Sequence, residues 1–304
     1  MTDQLGLLPS ELLPTRRAEL AVAAAILAEH GLGDDVLDSD EDYQQEARAR
    51  LTGDEVVVRV LLSDTNPDGA DHDRYFGVTR VGGNAAGVFL SGLLVTCLDA
   101  VDNAERMGTD LSDDEWRDLL SAPTALFDFA LGRRAGRHRS APRAPQGRGE
   151  YLPYRRWRIG HRLFFALTQS ITVALDGLLR AIDERDVQAM HDWVVLATPL
   201  VLGSSAALRL TADFRPSDYD ACVRDTMEPP SAAPGVSALQ ARDHLYLLGT
   251  LERIRTVLPA LDAVSEEYDE FTDAIGQLFE SHHWLSERFG QVNSPMTTMP
   301  GRRY

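Results

Sequence analysis

The chain has 304 residues, 44% of them apolar and 25% charged, which is enough for one large core or two smaller ones. Its formal charge of −17 argues against nucleic acid or an anionic membrane as a partner. All 30 basic residues are arginine, and the two cysteines, Cys97 and Cys222, are too few for a disulfide framework or a cysteine zinc site.

The first predicted element is an alanine-rich helix over Arg17–Leu32, ended by Gly31 and Gly33. Glu19 and Glu29 interrupt its apolar run, and no basic or apolar leader precedes it. The expectation is therefore no membrane span and a cytoplasmic location. A short charged helix follows over Asp40–Leu51. Glu55–Leu62 is β-branched and reads as a strand or a short buried helix. Asp64–Asp73 reads as a polar loop, and Gly82–Arg106 as a long apolar helix. Ser112 and Glu115 have capping-box spacing ahead of a helix at Trp116–Leu120. These elements define a mostly helical N-terminal region, residues 1–131.

Residues 132–149 contain no acid and are rich in Arg, Gly and Pro. They read as a linker; the alternative is a basic strap that pairs with the acidic remainder or with cofactor carboxylates. Residues 150–304 are strongly helical. Leu163, Leu167, Ile171, Ala174, Leu178 and Ile182 form one apolar stripe. Val187–Phe214, Val236–Leu258 and Val264–Phe289 add three more long helices, with Pro259 at a break. Four long helices with short connections predict a mainly α bundle.

On the last helix, Val264, Tyr268, Phe271, Ile275, Leu278, His282, Leu285 and Phe289 share a stripe. His282 thus occupies an apolar position, with His283 one step off. A lone buried histidine is ordinarily a hydrogen-bonded core residue, but two adjacent imidazoles on an apolar helix raise a metal role. No zinc motif accompanies them. A heme needs one axial protein ligand and an apolar slot.

Segments of residues 149–304 resemble tryptophan 2,3-dioxygenase and its heme-dependent relatives. His282 precedes Glu287-Arg288-Phe289-Gly290, similar to the family's E-R-aliphatic-G after its heme histidine. Pro216, Tyr219 and Arg224, then Gly235 to Arg242 with Ser237, resemble the family's carboxylate-binding stretch. Tyr151-Leu152 and His161-Arg162-Leu163-Phe164-Phe165 resemble its distal-histidine segment. The departures point away from a true tryptophan dioxygenase: the H-D-E is only His161, Val236-Ser237 replaces Phe-Gln, and Asn293–Arg303 matches the substrate-closing loop only loosely. The chain looks more like the heme-dependent tyrosine hydroxylases of antibiotic biosynthesis. A cysteine-bearing methyltyrosine hydroxylase branch has two histidines about 38 residues apart, the second followed by x-x-x-Cys. Here 38 residues separate His244 from His283, and 37 separate it from His282.

The resemblance implies a tryptophan 2,3-dioxygenase-like helical fold and heme b, with iron held by His282 or, alternatively, His283. The spacing from His244 favours His283. The stripe, the Glu287-Arg288 register and the small Ser286 one turn on favour His282, since Glu287 would place a charge against the macrocycle. Neither register supplies a cysteine, so no thioether is expected. The resemblance further implies that Arg224, with Tyr219 and Ser237, holds the substrate carboxylate, and that His161 or His244 is the distal catalytic histidine. The implied reaction is ring hydroxylation of tyrosine, to 3,4-dihydroxyphenylalanine, or of a close analogue, with dioxygen or hydrogen peroxide as oxidant and a homodimer as the assembly. The alternatives are a tryptophan or indole oxygenase and a non-catalytic helical ligand-binding protein.

Overall fold

A computed structural model describes residues 4–53, 56–62, 67–133, 143–147, 152–232 and 241–290. The predicted mainly α fold is what it shows. Among the described residues there are ten α-helices and one small sheet. The helices are α1 (Arg17–Glu29), α2 (Glu41–Thr52), α3 (Pro67–Phe76), α4 (Ala85–Met107), α5 (Asp113–Ala130), α6 (Pro153–Glu184), α7 (Val187–Thr211), α8 (Pro216–Cys222), α9 (Arg242–Thr256) and α10 (Ser265–Arg288).

Local signals account for many ends. Ser112 and Glu115 form the reciprocal capping box at the start of α5, a device of roughly 1 kcal/mol. Asp40, Asn84 and Asp186 cap α2, α4 and α7 with side-chain acceptors. Gly31, after α1, has φ +66°, in the left-handed region where a side chain is disfavoured.

Two regions differ from the sequence expectation. The stretch read as a polar loop contains α3, which carries the buried His72, Tyr75 and Phe76. Asn, Pro, Asp and Gly dominate its start, but Pro67 sits in the first helical turn, where its missing N–H costs nothing. The long helix expected from Gly82 is preceded by strand β3 (Val78–Gly83). This strand pairs parallel with β1 (Leu5–Leu7) and antiparallel with β2 (Arg59–Leu61), so β3 is central. Leu7 lies opposite Arg80, and Leu61 opposite Val81. The predicted helix from Val236 begins, within the described residues, at Arg242; Val236 and Ser237 lie outside them. Most of the Arg/Gly/Pro segment also lies outside. Its described part, 143–147, docks on the body: the Ala144 N–H donates to Asp113, and the Thr109 N–H to the Pro145 carbonyl.

α6 and α7 form the spine. α5 and α10 pack on α7, and α4 and α9 pack on α6. α4, α6 and α7 are long and apolar enough to cross a membrane, and 83%, 94% and 67% of their most apolar windows are buried inside the protein. One continuous core runs from Leu5 to Phe289 and joins both halves of the chain.

Candidate active site

The apolar faces of α6, α7, α9 and α10 meet around a small cavity of about 40 Å³. α6 contributes Phe164, Thr168 and Ile171, one helical stripe. α7 adds Ser204 and Leu208; α9 adds His244, Leu247 and Leu251; α10 adds Ile275, Leu278 and His282. Two imidazoles therefore enter one apolar chamber from neighbouring helices.

His244 is buried, and among the described residues neither of its ring nitrogens has a hydrogen-bond partner. An unpartnered buried polar group is costly, and a ligand bound beside it would relieve that cost. Burial pushes the His244 pKa down to about 4, with His282 nearby adding to the effect. Burial, then the adjacent His283, also lowers that of His282. Both rings are thus held neutral, the form in which imidazole donates a lone pair to a metal.

His283 is elsewhere. Its side chain is 60% exposed and sits 3.2 Å from Glu287. The tertiary arrangement places His282 on the inner face, as the apolar stripe predicts, and His283 outside. Ser286 lies one turn beyond His282, and its hydroxyl donates to the His282 carbonyl at 3.1 Å.

His161 lies on the adjacent face of α6. It is buried, bonded through Nδ1 to the Trp157 carbonyl at 2.8 Å and stacked on Phe76 at 4.6 Å. Burial pushes its pKa down to about 3, and both His72 and His282 are close enough to contribute. His72 and His282 thus neighbour His161, and His282 neighbours His244. His72 has no place in the family resemblance. It is buried between Phe76 and Phe165, at 4.8 and 5.0 Å between ring centres, 3.8 Å from the Asp73 carboxylate. The signal for it was Tyr75 and Phe76, three and four residues on, which share its helix face.

The predicted carboxylate-binding group is not assembled at the cavity. Arg224 is half-exposed; it pairs with Asp220 at 2.7 Å and donates to the Phe289 carbonyl at 3.2 Å. It lies over the Tyr219 ring, and Tyr219 is itself buried, stacked on Phe289 at 4.3 Å. Arg224 and Tyr219 here fasten the end of α10 to α8. Ser237 lies outside the described residues.

An apolar chamber with two neutral, converging imidazoles suits a heme. At about 40 Å³ the chamber is smaller than a porphyrin, and Leu248, Leu251 and Phe279 complete its lining. Among the described residues no group of three or more His, Cys, Asp or Glu is placed to hold a metal ion by side chains alone.

Comparisons with known proteins agree with this architecture. The chain is 30% identical over 234 residues to a 3-methyl-L-tyrosine peroxygenase from Streptomyces lavendulae. That match covers 74% of this chain and 63% of the relative, less than two thirds of its length. The crystal structure of reduced SfmD, soaked with sodium hydrosulfite, superposes with a TM-score of 0.75 at 24% identity, over 91% of this chain and 95% of that one. This likeness shows a shared fold. Residues 6–270 match the family described as SfmD 3-methyl-L-tyrosine peroxygenase, and the chain belongs to that family.

Proposed function

We propose that the protein is a heme-dependent peroxygenase that hydroxylates the ring of tyrosine or a ring-substituted tyrosine. Family membership supports the reaction class. The observation that carries the site is the convergence of His244 and His282 in one apolar chamber. His282 would hold the heme iron, with His244 facing the same space. Bound there, heme supplies the oxidising chemistry for ring hydroxylation, with hydrogen peroxide as oxidant. The chain's own contribution is to keep both imidazoles neutral, to exclude water with leucine, isoleucine and phenylalanine side chains, and to offer His161 within the rings of Phe76, Trp157 and Phe165.

Heme titration tests the reading. The wild-type chain and His283→Ala should each develop a Soret band at one equivalent, and His282→Ala should not. Equal loss in both variants, or in neither, removes His282 from the role. The loaded protein with hydrogen peroxide should convert tyrosine or 3-methyltyrosine to a catechol. Faster oxidation of tryptophan under the same conditions would overturn the substrate class. A site that pairs with a hydroxyl rejects the analogue lacking it by large factors, so phenylalanine should be a poor substrate.

A further inference from the structure

The His244 ring makes no hydrogen bond among the described residues, so nothing bonded to its nitrogens aims it into the chamber. Its direction must come from the backbone of the first turn of α9. That turn lacks the usual anchor: Ala241, at the cap position, provides no side-chain acceptor.

What holds the turn is Asp243, fully buried and next in the chain to His244. Three elements converge on its carboxylate. From β3, Arg80 donates to both oxygens, at 3.0 and 2.9 Å. From the turn after β1, Ser10 donates to Oδ1 at 2.8 Å. From α6, Gln169 donates to Oδ1 at 2.9 Å. Arg80 is fixed in turn by Asp73 of α3, through two 2.8 Å bonds, and by the Leu8 carbonyl at 2.9 Å. Gln169 also donates to Leu8, at 2.7 Å. Arg80 and Gln169 are both buried, so the first turn is clamped from inside. The negative carboxylate also lies at the helix end where the N–H groups point.

We propose that Asp243, gripped by Arg80, Ser10 and Gln169, is the positioning residue that aims His244 into the chamber. A single buried carboxylate thereby couples the N-terminal sheet to the imidazole. This rests on the reading of His244 as a group that faces heme, but the anchoring itself can be measured without heme.

The test compares Asp243→Ala and Asp243→Asn with Asp213→Asn, which weakens another buried pair, Arg156–Asp213, that shares no contact with His244. Breaking one partner of a buried pair is strongly destabilising, so all three should lower the urea midpoint. In the heme-free protein, diethyl pyrocarbonate labelling of His244, followed by mass spectrometry, should rise about tenfold in the Asp243 variants, as a released first turn opens locally. It should stay at the wild-type level in Asp213→Asn. In the heme-loaded protein, Asp243→Ala should shift the ferric spectrum to that of His244→Ala, and the double variant should match His244→Ala alone. Wild-type labelling in a folded Asp243→Asn, or an equal rise in Asp213→Asn, overturns the anchor. If His244→Ala leaves the heme spectrum unchanged while the labelling behaves as expected, the anchor stands and the heme reading of His244 falls.

Discussion

Burial acts strongly on the His161 and His244 imidazoles. Their pKa values are held to about 3 and 4, against 6.5 for a solvated imidazole, chiefly by desolvation. Between those values the unfolded chain binds protons that the folded chain refuses. Their contribution is therefore fully present above pH 6.5 and is lost as pH falls through that window. The urea midpoint of heme-free protein should fall steadily from pH 7 to pH 4. His161→Leu should flatten part of that slope; an unchanged slope would mean that His161 does not titrate there. Arg224 illustrates the opposite case. A bidentate arginine after Pro216 and Tyr219 has the chemistry of a carboxylate clamp, yet its guanidinium is spent on Asp220 and the Phe289 carbonyl. Arg224→Ala should leave tyrosine affinity within about twofold, whereas a loss of tenfold or more, about 1.4 kcal/mol, would return the clamp to Arg224.

Helix α6 is the element on which the site depends. Its Phe164–Thr168–Ile171 stripe lines the chamber, its Trp157–His161–Phe165 stripe lines the aromatic cluster, and Gln169 reaches the Asp243 clamp. Its close approach to α7 depends on two glycines. A Cβ at Gly177 would lie 2.4 Å from the Trp193 ring, and one at Gly160 would lie 2.7 Å from the Thr211 Cα. Gly177→Ala should therefore cost about 1–3 kcal/mol in urea denaturation, despite alanine's better helix propensity, because overpacking outweighs it. A gain in stability would show that α7 yields. On α10, Ser286, which has no thiol to offer, lies one turn after His282. Heme bound here should be removed completely by acidified butanone; a covalently retained porphyrin would contradict the noncovalent reading.

At the scale of the molecule, the two halves of the chain share one core. α4 and α5 pack on α6 and α7, and Ser10 and Arg80, both N-terminal, hold the residue beside His244. A fragment of residues 150–304 would expose the apolar faces that α4 and α5 cover. It would also leave Asp243 buried without its guanidinium. It should fail to unfold cooperatively in denaturant. A cooperative, heme-binding fragment would show that the C-terminal helices suffice.

The apolar periodicities of 163–182, 187–214 and 264–289 by themselves determined the long helices, because a core-facing stripe at 3.6-residue spacing has little alternative. The same stripe placed His282 on the inner face, and the Ser112–Glu115 box marked the start of α5 by local chemistry alone. The parts that required the tertiary structure are those set by residues far apart in the chain. α3 looks like a loop because its start is rich in turn residues, and only the core against which His72 and Phe76 pack makes it a helix. β3 is visible only with its two partner strands, since a six-residue segment does not hold as a strand alone. The chamber joins α6, α7, α9 and α10, and the Asp243 clamp joins positions 10, 80, 169 and 243. A sequence records those residue types, while which of them meet is decided by how the helices pack.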